Sequence, residues 1–155
     1  MPKVLGKDST CSIARSLGVV GDSWTLLIIR EALVAGSTRF QEFRDALGVA
    51  PNVLTTRLAS LVDEGLMTRT TYREQGARTR EQYVLTDAGR SLSSVMAALA
   101  EWGRSHRPRP DGTSPQFMTA DSGATAQLAF VGADGEKLPP EGLVAVRTPD
   151  VPPAD

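Results

Sequence analysis

The stretch Arg39 to Leu66, RFQEFRDALGVAPNVLTTRLASLVDEGL, limits what this 155-residue chain can fold into more than any other. It reads as two short helices joined by a tight turn at Leu47-Gly48-Val49-Ala50. Phe40, Phe43 and Leu47 mark the inner face of the first, and Gly48 ends it. Pro51 suits the first turn of the second, where its missing N–H costs nothing. Leu54, Leu58, Leu61 and Val62 then recur at helical spacing as one apolar stripe, up to a stop at Gly65. The opposite face, near the start, carries Asn52, Thr55, Thr56 and Arg57, hydrogen-bonding groups of modest reach. A helix held by its back and polar at its N-terminal front has the layout of a major-groove reader. Two helices and a turn also occur in any small helical core, so the rest of the chain has to decide.

The flanking segments read clearly. Cys11 to Val20 is a short helix with Ile13, Leu17 and Val20 on one face, broken at Gly21-Asp22. Ser23 is expected to cap the next helix, WTLLIIREALVAG, which ends at Gly36 and is apolar on more than one side. Ser37-Thr38 is a connector with room for one strand-like bridge. After the two-helix stretch, Leu66–Tyr72 and Arg80–Leu85 are β-branched and aromatic around a turn at Gly76, which predicts a β-hairpin. Arg69, Arg73, Arg78 and Arg80 crowd that hairpin against Glu74 and Glu81. A basic hairpin directly after a helix-turn-helix is a wing, and arginines at its tip suit phosphates or a narrow minor groove. Thr86 is expected to cap one long helix, DAGRSLSSVMAALAEWGRSH, with Leu92, Val95, Met96, Leu99 and Trp102 as its stripe.

Composition enters where it discriminates. The net charge of −1 argues against a polyanionic partner until it is divided. Up to Pro110 there are 15 basic and 11 acidic residues, a balance of +4; from Asp111 on there are 2 and 7, a balance of −5. The basic part is the part with the helix-turn-helix. The domain expectation follows: residues 1–10 a flexible N-terminus, 11–106 the winged domain with its flanking helices, 107–114 a linker, 115–148 a small acidic appendage and 149–155 a disordered tail. The appendage offers short strands at Gln116–Thr119, Ala126–Val131 and Leu143–Arg147, with a turn at Asp134-Gly135, and reads either as a small ribbon or as partly disordered. No apolar run spans a bilayer, the first residues lack a signal-peptide core, and one cysteine allows no internal disulfide, so the reading is cytoplasmic with no membrane partner.

Catalysis has little to stand on. His106 is the sole histidine and lies at a helix end, Asp63-Glu64 reads as solvated, and no glycine-rich phosphate loop is present. No Cys/His cluster exists for a transition metal, so neither metal nor cofactor is expected, and the chain is not read as an enzyme. Cys11 keeps two readings: a small buried hydrophobe, or a thiol sensor with Lys7 and Arg15 near it and Asp8 against it.

The order of these features resembles the HxlR-type regulators. Cys11 and a short helix precede GDSW (Gly21 to Trp24) and the apolar LLIIREAL; TRFQEFRDALG is similar to their RF-x-EL segment. VLTTRLASLVDEGLMTRTTY is similar to their ML-x-x-L-x-x-L-x-x-x-GL helix and first wing strand; YVLTDAGRSL and the later EWG match the second strand and last helix. The resemblance covers about Cys11 to Gly103. It implies a mainly α winged helix-turn-helix with a small β wing, a homodimer through its N- and C-terminal helices, and double-stranded DNA as partner. By that analogy Ala50, Pro51, Asn52, Thr55, Thr56 and Arg57 face the major groove, and Arg73, Arg78 and Arg80 form the wing contact. Leu17, Val20, Leu92, Val95, Met96, Leu99 and Trp102 build the dimer interface, and Cys11 takes a position that senses electrophiles or oxidants in some members. The expected function is a dimeric repressor on a pseudo-palindromic operator. Its affinity is controlled through Cys11 or by a small molecule in a pocket near Trp24, Tyr83 and Trp102. The appendage resembles a C-terminal ribbon of some members, here without the cysteines that hold zinc. The rival readings are a winged helix that binds proteins instead of DNA, and a ligand-responsive regulator whose Cys11 is purely structural.

Overall fold

Phe43, Leu54, Leu58 and Leu61 cannot remain in water on helices as short as theirs, and packing them together is what organises the head of the molecule. A computed structural model describes residues 6, 8–73, 75–76, 78–112 and 116–144. It is mainly helical with three small antiparallel sheets, in the order α1 Ser12–Val20, α2 Ser23–Val34, α3 Phe40–Leu47, α4 Pro51–Asp63, β1 Met67–Tyr72, β2 Arg80–Leu85, α5 Asp87–Ser91, α6 Ser93–His106 and then the short strands of the other two sheets. The chain divides into two units, Met1–Trp102 and Gly103–Asp155.

In the first unit, α2 packs on α3 and α4, and β1 follows α4 back across the core. Ile28, Ile29, Phe43, Leu54 and Leu58 are fully buried, with Leu61 and Met67 nearly so; Val20, Val49 and Leu85 close the cluster. The expected stripe of α4 is thus its buried face, with Val62 half-buried at its margin. Gly48 ends α3 in a left-handed conformation, φ +62°, which gives the chain its sharp entry into α4.

Three local expectations differ from the structure. Asp22, not Ser23, caps α2: its Oδ1 accepts from the N–H groups of Trp24 at 3.0 Å and Thr25 at 3.2 Å. A carboxylate one residue earlier out-competes a hydroxyl that is already inside the helix. The bridge expected at Ser37-Thr38 falls at Arg39, opposite Gln82, while the Thr38 carbonyl accepts from Tyr83 N–H at 2.7 Å. The long helix after Thr86 is broken at Leu92, whose N–H turns to the Gly89 carbonyl three residues back. Ser91 and Ser94 donate their hydroxyls to backbone carbonyls three residues earlier, competing locally with the helix ladder. Val20 also departs from its expected interface role, since it is buried within this core.

The hairpin has the expected strands, with Met67 paired to Leu85 and Tyr72 to Arg80. Its base is tied down. Thr86 donates its hydroxyl to the Gly65 carbonyl at 2.7 Å and accepts from Gly89 N–H at 3.1 Å; its own N–H reaches the Leu66 carbonyl at 3.0 Å. Gly89 is buried so close to Leu66 that a Cβ there would overlap the Leu66 carbonyl oxygen and sit 2.9 Å from Leu85 Cδ2.

The second unit, described by itself, carries two hairpins: β3 Phe117–Met118 with β4 Thr125–Ala126, and β5 Phe130–Val131 with β6 Lys137–Leu138. The expected single strand over Ala126–Val131 is split between two hairpins, because β4 ends at Ala126 and β5 begins at Phe130. A turn at Asp134-Gly135 joins β5 to β6, with Asp134 Oδ1 accepting from Glu136 N–H at 3.0 Å. A 3-10 turn, Pro140–Gly142, follows; Leu143 and Val144 are not in a strand, and the rest of that candidate strand and residues 149–155 lie outside the described residues. No described residue of this unit is buried.

Two stability outcomes follow. Gly89→Ala should cost about 3 kcal/mol, because the added methyl meets backbone that cannot yield; thermal unfolding should show a fall of more than about 10 °C. Glu42 Oε2 accepts from Arg39 N–H at 2.9 Å and Thr38 N–H at 2.8 Å, and these bonds hold its carboxyl below the usual carboxylate range. The stabilisation is therefore complete above the ordinary glutamate pKa and lost as acid takes the pH through the lower folded value. Urea midpoints measured from about pH 7 to pH 3 should show a shallower acid fall for Glu42→Gln than for the natural chain.

Candidate nucleic-acid interface

The front of α4 begins where Val49, itself buried, pins the turn and leaves Ala50 as a helix cap with no polar side chain. Ala50, Pro51, Asn52, Thr55 and Thr56 are all exposed on the face opposite Leu54, Leu58 and Leu61. Ala59 joins them one turn further on. Thr55 donates its hydroxyl to the Pro51 carbonyl at 2.8 Å, and Thr56 to the Asn52 carbonyl at 2.9 Å. With those protons committed to the helix, each threonine presents a lone-pair oxygen and a methyl outward. That is an acceptor for a base amino group beside an apolar contact for a thymine methyl. Asn52 adds an amide with both a donor and an acceptor edge.

Arg57 stands elsewhere. It is half-buried on the flank of α4, with Nη2 3.0 Å from Asp22 Oδ2 at the start of α2. Its Nε is buried with no hydrogen-bond partner. Arg57 thus lies on the flank of the exposed front, beside the buried face, and its guanidinium turns to an acid to which the sequence alone gives no such role. The signal was available, since Asp-Ser before an apolar run marks Asp22 as a cap candidate whose second oxygen remains open.

The wing carries its arginines outward. Arg80 is exposed at the end of β2, while Arg73 and Arg78 are exposed just beyond the strands; positions 74 and 77 between them lie outside the described residues. Arg69 Nε lies 3.6 Å from Glu81 Oε1 across the hairpin, so part of the expected charge pairing is internal. Arg39 is a further participant that sequence reasoning missed. Its guanidinium lies over the Tyr72 ring, 4.5 Å from the centroid, and its backbone bridges to Gln82, which couples the start of α3 to the wing. Nothing local in the sequence marks this contact, because its partners are 33 and 43 residues away.

The remaining candidates are dispersed. Trp24 and Tyr83 are half-buried against the core, while Trp102 is exposed on α6. A shallow depression in the head is lined, among the described residues, by Leu17, Gly18, Val19, Gly21, Asp22 and Arg57, with none of the three aromatics among them. Leu17, Val95, Leu99 and Trp102 are exposed by 41–54%, Met96 is half-buried, and Leu92 packs against the core. Cys11 is exposed at the cap of α1, its N–H donating to Ser9 Oγ at 3.3 Å, so the buried-hydrophobe reading of that cysteine does not hold. Among the described residues no group of three His, Cys, Asp or Glu side chains is placed to hold a metal, and no helix is long and apolar enough to cross a membrane.

Known proteins share this arrangement. The HxlR-like helix-turn-helix family matches residues 19–111. An HTH-type transcriptional regulator of Mycobacterium tuberculosis, Rv3095, is 42% identical over 101 residues, which is 65% of this chain and 62% of its own length; the chain thus spans under two thirds of that relative. YdeP of Bacillus subtilis, also described as an HTH-type regulator, is 28% identical over 65% of this chain and 77% of its own. Among solved structures, PA1607, a candidate transcription factor, superposes with a TM-score of 0.80 at 36% identity, covering 92% of this chain and 98% of its own. The redox regulator HypR in its reduced form superposes at 0.54 and 29% identity, covering 63% of this chain and 94% of its own. A winged helix built on α3, α4 and the β1–β2 hairpin, matched over more than half its length, places this chain in the HxlR-like helix-turn-helix family.

Proposed function

We propose that the protein is a DNA-binding transcriptional regulator that acts as a homodimer on a pseudo-palindromic operator, as a repressor in the cytoplasm. The observation that carries this reading is the two-sided α4: a buried leucine back under an exposed front of Ala50, Pro51, Asn52, Thr55 and Thr56, with an arginine wing beside it. Each dimer places two such fronts in successive major grooves, about 34 Å apart. The uncapped first turn of α4 and Arg73, Arg78 and Arg80 take phosphates, which supply affinity without sequence. Asn52, Thr55 and Thr56 supply base discrimination. The apolar stripe Leu17, Val95, Met96, Leu99 and Trp102 forms the dimer contact; Val20 is excluded by its burial, and Leu92 supports the stripe from the core side. The regulators named among the relatives support the same reading.

A signal changes the angle between the two heads by acting on the flanking helices. Cys11 is one receiver: it is exposed at the cap of α1, and among the structural neighbours the redox regulator HypR is known in reduced and oxidised forms and YodB of Bacillus subtilis in a reduced one. A winged helix that binds only proteins is the competing class, and salt-dependent DNA retention separates the two.

Fluorescence anisotropy against a selected operator and its point variants tests the assignment. Asn52→Ala should erase about 1–3 kcal/mol of preference at its own base pair and leave other positions intact. Arg78→Ala should weaken all sequences alike and lower the salt slope by about 1. Equal, sequence-blind losses from both variants would remove Asn52 from the base-reading set. For Cys11, operator affinity after diamide treatment should fall several-fold in the natural chain and stay constant in Cys11→Ser; matching responses in the two proteins exclude thiol control.

A further inference from the structure

Arg39 joins the helix pair to the outer end of the wing. Its root is fixed on the helix side. It is the N-cap residue of α3, Glu42 Oε2 accepts from its N–H at 2.9 Å and from that of Thr38 at 2.8 Å, and Glu42 Oε1 lies 3.8 Å from its Nε. The residue after Glu42 is Phe43, fully buried in the cluster it shares with Leu54 and Leu58 of α4. The other end of Arg39 reaches the hairpin, where the guanidinium lies over the Tyr72 ring, 4.5 Å from the centroid. Tyr72 is the last residue of β1, is paired with Arg80 and runs directly into Arg73. Residues opposite each other in an antiparallel pair project from one face, so the Arg80 side chain leaves the sheet beside that ring. Tyr72 and Arg80 also form the last rung of the ladder, and the end rung of a two-stranded hairpin is the first to open. A cation laid on the ring holds this rung from the α3 side.

We propose that Arg39 is a positioning residue for DNA. Through Tyr72 it fixes the end of the wing relative to α4, so that Arg73 and Arg80 meet phosphates while the front of α4 lies in the major groove. It acts through those two arginines and not as a phosphate contact of its own, because its guanidinium is laid on the ring and drawn back by Glu42. A hairpin held only at its root can tilt; the bridge of Arg39 to Gln82 holds it part-way along, and the ring contact holds it at the outer end. Phosphate charges are spaced along the duplex, so an arginine adds affinity only where the tilt brings it to one. This role rests on the DNA-binding reading above.

Anisotropy titrations of the full chain on the selected operator, over a series of salt concentrations, test this role. Tyr72→Leu removes the ring and leaves every arginine in place. It should weaken binding about tenfold and lower the salt slope by about 1 or more, as though a wing arginine had been lost. Tyr72→Phe keeps the ring and should match the natural chain in both. Arg39→Met alone should behave as Tyr72→Leu does. In a chain that already carries Arg73→Gln and Arg80→Gln, measured at low salt, Arg39→Met should have no further effect, because the residues it positions are gone. The proposal is overturned by an unchanged slope in a Tyr72→Leu chain that folds by circular dichroism, or by an equal loss in Tyr72→Phe. It is overturned as well by a full further loss from Arg39→Met in the doubly substituted chain, which would make Arg39 a phosphate contact itself. If Tyr72→Leu does not fold, the Arg39→Met comparison decides. A natural chain without salt-dependent DNA binding removes the regulator reading and this role together; a natural chain that binds, with any of the overturning results, removes this role alone.

Discussion

The fold depends on one contact, the burial of the leucine face of α4 against Ile28 and Ile29 of α2 and Phe43 of α3. Each of these side chains contributes on the order of 1.5–3 kcal/mol by leaving water. Among the described residues no helix exceeds fourteen residues, a length at which isolated helices are marginal in water. Packing, not propensity, therefore holds them. The same contact fixes the azimuth of α4, and with it which residues face outward. The polar front is a consequence of where the leucines must go.

Much of this was legible because it is periodic or punctuated. The Leu54, Leu58 and Leu61 spacing, the glycine stop at Gly48, Pro51 in a first turn and two β-rich runs around Gly76 are local signals with local causes. Arg57 shows where reading by residue type falls short. At about 100° per residue it lies about 65° from the centre of the leucine face and about 140° from Asn52, so periodicity alone assigns it to the flank. Its chemistry as an arginine drew it to the front. The break at Leu92 escaped because its signals, Gly89 and the serines at 91, 93 and 94, are each tolerated inside helices, and the competition of serines with the backbone depends on neighbours. Contacts such as Arg39 with Tyr72 are set by tertiary geometry and leave no periodic trace.

Asp22 illustrates how one side chain can bind two elements. It ends the loop before α2 by capping it and reaches α4 with its remaining oxygen. A serine or asparagine would serve the cap, but neither would hold a guanidinium by charge. The residue therefore joins a local requirement of helix formation to a long-range pair across the head, close to the end of α1.

The tie at the base of the hairpin has a further consequence, for entropy. Thr86, Leu66 and Gly89 lock the two strands to the end of α4 and the start of α5, while Tyr83 and Gln82 are held to the segment before α3. The wing is thus fixed from its root to Tyr72 and Arg80 by its ladder and by these ties. A partner that grips these strands is spared their ordering cost, about 1–2 kcal/mol of backbone entropy per residue. A wing loose from its root would carry that cost over the whole hairpin.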